Sequence, residues 1–591
     1  MRAASFLATL LAIFPLSFSS ASPHSSPRDN VELASRSASI ITPEISALAE
    51  SLIADYNVPG ISVGVVRLNG SSVITEYGAW GNRTEDGDLA DSQMITGLGS
   101  CSKAFLTSAI GILIDDFANG RNVTALPHGL DTLSWDTKVQ ALFPGDSVWK
   151  LEDNWATEKT NIADMLSMAT GVTSNQFVYT RNDTPVSLAQ RFRYIKPGFE
   201  LREQWDYTNI FYFFATQIVT QYSGKTFQEF VKERIFNPLN MTSTTYSTQE
   251  ANSTGHLSQS WAFVGRRIPI IIDDPVTSNL VAGAGGTLSN AVDMSKWAAT
   301  VLNGGVDPVM NKTIIPQSAF AETTTARMIQ AGNVTAEDET VSIIGYGLGW
   351  QRNSFLGHDV ITHDGGIPGF VASLFVLPDD NLAVFALLNT DAPFQEVIPK
   401  AIISSVLGLN ATTTSTPSTG AGSRRSLSAR DTSTSGNCTQ SSTALEKFAG
   451  DYTSPAYGNL TFCAPTSTNG SASAYCNSTL ADFASIGPLD SNTLYASTNR
   501  IATHVSMQRT CAGSDDGAFI VTFQSIYANG YGRNTTAFSE AFSSELPPTH
   551  VECIMEGSNV TGCGWLDIEV SPIKSTGTPE ERAQIWWTKR S

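Results

Sequence analysis

A serine and a lysine three residues apart are the pair whose spacing in this chain could support covalent catalysis. Ser100 and Lys103 follow a turn-like glycine segment and open a helical pattern of apolar residues. Residues three apart lie on one face of a helix, so Lys103 would stand one turn above Ser100 and could take its hydroxyl proton. The unpaired N–H groups at a helix N-terminus favour a developing oxyanion. The spacing therefore predicts a serine acyl-transfer site.

The thiol next to the serine allows a second interpretation. Cys101 could itself be a nucleophile, but a residue one step along a helix points roughly 100° away from its neighbour. A small buried side chain behind Ser100 is the favoured role for Cys101.

A tyrosine and an asparagine further along the chain could complete this site. Tyr207 is a credible base if a lysine lies nearby, because an ammonium group favours the phenolate. Asn209 could orient the lysine or donate to a substrate carbonyl. The alternative is a packed tyrosine followed by a helix-capping asparagine.

A His-Asp-Gly-Gly run lies between two strand-like segments, 360–362 and 370–377. Its glycines, Gly365 and Gly366, would let a substrate approach a strand edge, and the Gly366 N–H could form an oxyanion hole with that of Ser100. His363 could donate to the substrate or tune the tyrosine. The alternative is a tight hairpin with a surface histidine.

Together these residues read S-x-x-K, Y-x-N and H-x-G in that order, and here the chain resembles the serine β-lactamase-like superfamily over roughly residues 41–408. That superfamily includes class C β-lactamases, DD-peptidases and related esterases. The resemblance implies that Ser100 is the nucleophile and that Lys103 and Tyr207 share the acid and base roles. It further implies that the substrate is bound by the following residues: Asn209, His363, Gly365 and Gly366.

The histidine stands where many relatives have the lysine of a K-T-G motif. A largely neutral His363 offers less charge to a substrate carboxylate than a lysine does. We therefore expect a secreted serine hydrolase acting on an ester, lactone or amide, with ester-type chemistry ahead of β-lactam hydrolysis. A biosynthetic transacylase and a non-catalytic binding module are the alternatives. The expected partner is a small-molecule or peptide acyl substrate; no metal or organic cofactor is required, and the oligomeric state stays open.

The elements that must position these residues show their own patterns. A helix-like stretch reaches Tyr56, and the strand-like runs Ile61–Leu68 and Val73–Trp80 flank an Asn-Gly turn typical of a hairpin. Further strand-like runs return at 346–388. The two ends of this region should pair into one antiparallel sheet flanked by helices, with a helical insertion facing it. The fold class is therefore α+β, of the β-lactamase/transpeptidase-like type that the resemblance implies.

Five segments are predicted along the 591 residues: a signal peptide (1–21), a disordered leader (22–40), a catalytic domain (41–408), a Ser/Thr-rich linker (409–437) and a C-terminal β-rich domain (438–591). The C-terminal domain holds six of the seven cysteines, which allow up to three disulfides. These cysteines are Cys438, Cys463, Cys476, Cys511, Cys553 and Cys563.

The charge and the glycosylation sequons agree with export. A net charge of −19 disfavours binding to nucleic acid or to an anionic membrane surface. Sequons of the form N-x-S/T recur along the whole chain. We therefore expect an extracellular glycoprotein. The sequon asparagines are Asn69, Asn82, Asn122, Asn182, Asn240, Asn252, Asn311, Asn333, Asn410, Asn437, Asn459, Asn469, Asn477, Asn534 and Asn559.

Overall fold

The computed structural model describes residues 39–334, 339–409, 443–468, 473–510, 517–542, 546–568 and 576–590. The described residues from Ile40 onward form one compact unit. Within the described ranges, no helix combines the length and the apolar character needed to span a bilayer. The predicted signal peptide, nearly all of the leader and linker, Cys438 and Cys511 lie outside these ranges, so the domain boundaries stay predictions.

The first large sheet has eight antiparallel strands and is built from both ends of the region 60–388, as the sequence predicted. The two ends of the region meet where the early strand Gly60–Asn69 pairs with the late strand Leu382–Leu388. In spatial order the strands are Ser72–Gly81, Gly60–Asn69, Leu382–Leu388, Phe370–Leu377, His358–Ile367, Gln351–Phe355, Ile344–Tyr346 and Met328–Ala331.

Local sequence explains the first elements of this sheet. The helix Pro43–Tyr56 begins with a proline at its first position after Thr42, whose hydroxyl accepts a hydrogen bond from Ile45 N. The predicted hairpin pairs Asn69 with Ser72 across a two-residue loop. Gly70 in that loop has a φ of 60°, a conformation that glycine adopts without a steric penalty.

Side chains alternate between the two faces of the sheet. On the strand Phe370–Leu377, Val371 and Phe375 belong to the core shared with the helices Pro43–Tyr56 and Val397–Leu407. Ala372, Leu374 and Val376 point to the opposite face, where the core continues under the helices Lys103–Ala118 and Ala291–Leu302. Because both faces are covered, the strands Phe370–Leu377 and Leu382–Leu388 are buried along their whole length and are apolar except for Ser373.

Further helices form the layer that faces this sheet or cap its ends. In chain order, the α-helices are Pro43–Tyr56, Lys103–Ala118, Val139–Leu142, Asn154–Lys159, Ile162–Leu166, Pro185–Ala189, Ile210–Ser223, Phe227–Val231, Thr248–Ser253, Pro275–Val281, Ala291–Leu302, Gln317–Thr324, Val397–Leu407, Ala474–Ile486 and Pro579–Arg582. Three two-residue strand pairs accompany them: Thr96–Gly97 with Leu288–Ser289, Ser260–Trp261 with Arg267–Ile268, and Val306–Asp307 with Lys312–Thr313.

The C-terminal part forms a second antiparallel sheet, and within its described residues two disulfides join Cys463 to Cys476 and Cys553 to Cys563. Its strands, in spatial order, are Gly458–Phe462, Gly450–Ser454, Ile585–Lys589, Asn559–Trp565, Thr549–Glu556, Ala518–Tyr527, His504–Arg509 and Thr493–Ser497, with Phe538–Ala541 beside Ala518–Tyr527. The predicted fold class is confirmed, including the disulfide-tied β region.

Candidate active site

Ser100 lies in a single 3₁₀ turn, Gly99–Ser102, that leads into the α-helix Lys103–Ala118. The sequence predicted that Ser100 opens the helix, and the structure places it in the tighter turn just before the first α-helical residue. Gly99 has a φ of 50°, and a Cβ atom there would lie 2.3 Å from Gly366 N. A glycine is therefore required for this turn to lie against the strand His358–Ile367.

Four of the predicted site residues converge on one point. Tyr207 Oη donates to Ser100 Oγ at 2.5 Å, and Lys103 Nζ lies 3.0 Å from the same oxygen. Lys103 Nζ also donates to Asn209 Oδ1 at 2.6 Å and to Ala284 O at 3.0 Å. Ser100, Tyr207 and Asn209 are partly exposed, whereas Lys103 is fully buried. A substrate can therefore reach the serine while the lysine stays shielded from water.

The environment of Lys103 favours its neutral form. Burial holds the pKa of the Lys103 amine well below its ordinary value, and the neighbouring Cys101 acts weakly in the opposite direction. Its nitrogen lies 4.8 Å from the centre of the Tyr207 ring and 5.1 Å from that of Tyr212. No carboxylate hydrogen-bonds to it within the residues that the structure describes.

The hydrogen-bond partners of Lys103 accommodate both forms of the amine: an ammonium donates to all three, and a neutral amine donates to two and accepts from Ser100. A neutral amine has two N–H donors and one lone pair, and two of its three neighbours, Asn209 Oδ1 and Ala284 O, can only accept. The lone pair then faces the third neighbour, the hydroxyl of Ser100, which can donate to it. In this arrangement the Ser100 oxygen still accepts the hydrogen bond from Tyr207. The neutral amine is thus poised to take the serine proton.

Tyr207 is suited to hold its proton in the resting site. Burial raises the pKa of the Tyr207 phenol above its ordinary value, while the hydrogen bond with Ser100 acts in the opposite direction. In the resting site the Tyr207 phenol can therefore donate a proton and the Lys103 amine can accept one.

His363 lies on the strand His358–Ile367 with both ring nitrogens occupied. Its Nε2 is 3.2 Å from Tyr346 Oη and its Nδ1 is 2.6 Å from Asp364 O. The imidazole is buried, with 3% of the residue exposed. Burial, together with the nearby Lys103, lowers the pKa of His363 to about 3, so the ring is neutral at ordinary pH. Its role toward the substrate stays a prediction.

The two glycines after His363 bring the strand against the catalytic turn. A Cβ atom at Gly365 would lie 1.9 Å from Leu98 O and 3.1 Å from Ser100 N, so no larger residue fits without moving the turn. Gly366 is exposed, and its backbone adjoins Gly99. The amides of Ser100 and Gly366 therefore lie on directly apposed backbones, as a two-donor oxyanion hole requires.

Cys101 occupies a buried position behind the serine, as the favoured interpretation predicted. It is 5% exposed and its thiol donates to His363 O at 3.1 Å. Burial raises the pKa of this thiol above its ordinary value, which disfavours a reactive thiolate.

Three contacts of the site were not assigned from the sequence. Ala284 supplies a carbonyl to Lys103, Tyr346 supplies a hydroxyl to His363, and Trp205 packs against Tyr207 and Tyr346 with ring centres 6.1 and 5.5 Å apart. The sequence does show glycine-rich runs around residues 284 and 346. Their roles depend on tertiary contacts, which a linear pattern does not specify.

Comparison with protein families gives a match over nearly all of the predicted catalytic domain, residues 41–408. A family model described as Beta-lactamase matches residues 45–406, which include the serine, lysine, tyrosine, asparagine and histidine described above.

Two curated proteins are similar to this chain. One is named Unguisins hydrolase ungD', from Aspergillus campestris, and is 27% identical over 342 residues. The other is Unguisins hydrolase ungD, from Aspergillus violaceofuscus, and is 25% identical over 365 residues. In both cases the match covers 57% of this chain and 59% of the relative, so the chain spans less than two thirds of their length.

Similar solved structures share low sequence identity with the chain. An octameric penicillin-binding protein homologue from Pyrococcus abyssi superposes with a TM-score of 0.49 at 16% identity, covering 92% of this chain and 99% of that protein. A class C β-lactamase from Rhodobacter sphaeroides superposes with a TM-score of 0.47 at 17% identity, covering 62% of this chain and all of that protein, 100%.

Proposed function

The chain belongs to the beta-lactamase family of serine hydrolases, and we propose that it cleaves an ester, a lactone or an amide through an acyl-enzyme formed at Ser100. One observation carries this proposal. Two proton-transfer groups of opposite resting state, the Lys103 amine and the Tyr207 phenol, lie 3.0 and 2.5 Å from the same serine oxygen.

Acylation begins when Lys103 takes the hydroxyl proton and Ser100 Oγ attacks the substrate carbonyl carbon. The carbonyl oxygen gains the negative charge and accepts hydrogen bonds from the N–H groups of Ser100 and Gly366. The bond to the leaving group then breaks as Tyr207 gives that group a proton. The Lys103 ammonium restores the proton of Tyr207, so the acyl-enzyme forms with both groups in their resting states.

Deacylation repeats these steps with water as the nucleophile. Lys103 takes a proton from the water as the water oxygen attacks the ester carbonyl carbon, and the bond to Ser100 Oγ breaks. The Lys103 ammonium gives this proton to Ser100 Oγ, and the acid product leaves. Both curated relatives are named hydrolases, which supports transfer to water rather than to another acceptor.

The charge of the site favours substrates without a carboxylate beside the scissile bond. His363 is neutral and both of its ring nitrogens are engaged. The two partners of the His363 ring, the Tyr346 hydroxyl and the backbone carbonyl of Asp364, carry no positive charge either. Ester-type substrates are therefore preferred over β-lactams, which carry a carboxylate that a fixed cation would bind.

The same proposal includes secretion. The predicted signal peptide supports it, and so does the exposure of the sequons. In the ranges that the structure describes, every sequon asparagine is exposed, whereas the buried asparagines, Asn161, Asn175, Asn290 and Asn389, belong to no sequon. A glycosylated exoprotein requires this separation.

Intact-mass labelling tests the reaction. The wild type and Ser100→Ala are treated in parallel with a fluorophosphonate and with a fluorescent penicillin. We expect a fluorophosphonate adduct on the wild type alone, and a penicillin adduct that is absent or slowly lost. An adduct of equal yield on Ser100→Ala would overturn the proposal. Rapid turnover of the penicillin would replace ester-type chemistry with β-lactam hydrolysis.

A further inference from the structure

The C-terminal sheet packs on one stretch of the catalytic region that is almost entirely buried. Residues 168–178 are buried and residues 179–181 are partly exposed; we refer to residues 168–181 as the junction segment. Its middle is polar, Thr173-Ser174-Asn175-Gln176, and each of these four residues is at most 7% exposed. A polar loop of this kind is ordinarily solvated, so its burial needs specific partners.

An arginine of the C-terminal region supplies the central contacts. Arg500 donates to the carbonyls of Val178 and Tyr179, both at 3.3 Å, and to the carbonyl of Tyr457 within its own domain. Its guanidinium lies 4.6 Å from the centre of the Phe177 ring. Arg500 is 3% exposed. One planar cation thus ties two consecutive carbonyls of the junction segment to the second sheet.

Neighbouring side chains extend this attachment. The Tyr457 hydroxyl donates to Asn175 Oδ1, and Asn175 has a φ of 49°, a backbone conformation that needs support in a residue with a side chain. Phe177 packs between Phe523 and Trp565, with ring centres 5.2 and 5.4 Å away. The C-terminal sheet therefore fixes both the backbone and the side chains of the segment.

The other side of the junction segment contacts both flanks of the Tyr207–Asn209 motif. At its start, Met168 O accepts from the N–H of Asp206, the residue before Tyr207, at 3.4 Å. Near its end, the Tyr179 ring meets Phe213 edge-on at 5.0 Å. Phe213 lies on the first turn of the helix that follows Asn209, and its N–H donates to Asn209 O at 3.0 Å.

Burying a cation without a directly paired carboxylate carries a free-energy cost, so this arginine calls for a role. Desolvation lowers the pKa of Arg500 to about 10, which leaves the guanidinium protonated at neutral pH. Its charge is satisfied by backbone carbonyls rather than by a carboxylate within hydrogen-bonding distance. Two of the three carbonyls it holds, those of Val178 and Tyr179, belong to the junction segment, which contacts both flanks of the Tyr207–Asn209 motif.

We propose that Arg500 is a positioning residue for the serine chemistry: it fixes the junction segment and so keeps Tyr207 and Asn209 in register with Ser100 and Lys103. The inference rests on the proposed function of Ser100 and assigns the C-terminal sheet a part in that reaction. A displacement of about 1 Å at such a site can lower a rate by roughly 100-fold.

The full-length variant Arg500→Met tests this role, because methionine keeps an unbranched apolar side chain and removes the five donors. The measurement is the second-order rate constant of fluorophosphonate labelling at Ser100 from pH 5 to 10, together with the thermal unfolding midpoint. We expect a plateau rate roughly 10- to 100-fold lower than in the wild type. We also expect the acidic limb of the pH–rate profile, where labelling slows as the pH falls, to move to higher pH. The reason is that water reaching Lys103 would restore its ordinary pKa. If the role of Arg500 were merely structural, its replacement would lower the midpoint of unfolding and leave the acidic limb of the pH–rate profile in place.

Matched variants separate positioning from general damage. Arg590→Met removes an exposed arginine of the same sheet, whose guanidinium donates to Asn459 Oδ1 at 3.0 Å, and should label at the wild-type rate. Arg500→Lys keeps the positive charge but loses the planar guanidinium donors, and its labelling rate should lie between those of Arg500→Met and the wild type. Should Arg500→Met fail to fold, Tyr457→Phe removes only the hydroxyl that holds Asn175, and should show a smaller loss in the same direction.

The outcomes distinguish the two proposals. Wild-type labelling that does not depend on Ser100 would overturn the proposed function and this inference with it. Ser100-dependent labelling in the wild type, with the same rate and limb in Arg500→Met (or in Tyr457→Phe where only that variant folds), would overturn the role of Arg500 alone.

Discussion

Lys103 Nζ lies 2.6 Å from Asn209 Oδ1, and this contact joins the helix that follows Ser100 to the loop that carries Tyr207. The amide oxygen accepts without bringing a negative charge, so it orients the amine and leaves its pKa low. The contact also fixes the carboxamide, whose Nδ2 donors then point away from the lysine. One neutral hydrogen bond thus orients the Lys103 amine, while burial keeps its pKa low.

Replacing that neutral acceptor by a carboxylate should switch off the base. In Asn209→Asp, a negative charge beside Lys103 would favour the ammonium form and raise its pKa. The base acts as a free amine, so activity is present above this pKa and is lost as the pH falls through it. We expect the acidic limb of fluorophosphonate labelling to move to higher pH. Asn209→Ala, which adds no charge, is the control. An Asn209→Asp variant whose acidic limb lies at the same pH as that of the wild type would contradict a neutral lysine.

Removing the phenol of Tyr207 should slow acylation without unfolding the protein. Tyr207→Phe keeps the ring that packs near Trp205 and deletes the hydroxyl that donates to Ser100. We expect labelling and ester turnover to fall by about 10²- to 10⁴-fold, the usual contribution of a positioned proton donor. Tyr222→Phe deletes another buried hydroxyl, which donates to Leu142 O, and should keep the wild-type rate. Equal losses in both variants would argue for a general packing effect.

Much of the site follows from the sequence because its elements are local. Helical spacing places Lys103 above Ser100, and the order of three short motifs predicts which loops meet. The burial of Thr173 to Gln176 could not be predicted, because a run of polar residues is typical of a solvated loop and its partners are more than 250 residues away. The lowered pKa of Lys103 likewise depends on burial by distant elements, which hydrophobic periodicity does not reveal.

The glycine before the oxyanion amide should not tolerate a methyl group. In Gly365→Ala, the new Cβ would lie 1.9 Å from Leu98 O, so the catalytic turn has to move away from the strand. Because Ser100 N lies on that turn, the oxyanion hole opens, and loss of one such donor costs roughly 10²- to 10³-fold in rate. Gly332→Ala is the control, since its Cβ would meet nothing closer than 3.7 Å. Wild-type labelling by Gly365→Ala would show that the turn and strand are not in contact.

Exposed sequons predict that the protein, when it is secreted from a eukaryotic host, carries glycans that an N-glycosidase removes. Asn69 is exposed at the tip of the first hairpin, and the sequon needs the hydroxyl of the exposed Ser71. We expect an N-glycosidase to lower the intact mass of protein secreted from a eukaryotic host. Ser71→Ala should lower the untreated mass by one glycan while the labelling rate at Ser100 stays unchanged. A secreted wild type whose mass is insensitive to the glycosidase would contradict the glycoprotein proposal.

The neutral His363 should make the protein lose stability in acid. Its pKa is about 3 in the folded chain and about 6.5 in an unfolded one, so between these values the unfolded chain binds the proton that the folded chain excludes. The free energy of unfolding should therefore fall as the pH drops from about 6.5 toward 3, by at most about 1.4 kcal/mol per pH unit from this residue. His363→Gln keeps a polar side chain near Tyr346 and does not titrate, so urea unfolding of this variant should show a shallower loss across the same range. Equal slopes in the two proteins would mean that His363 is protonated in the folded state, and the argument against carboxylate substrates would lose its basis.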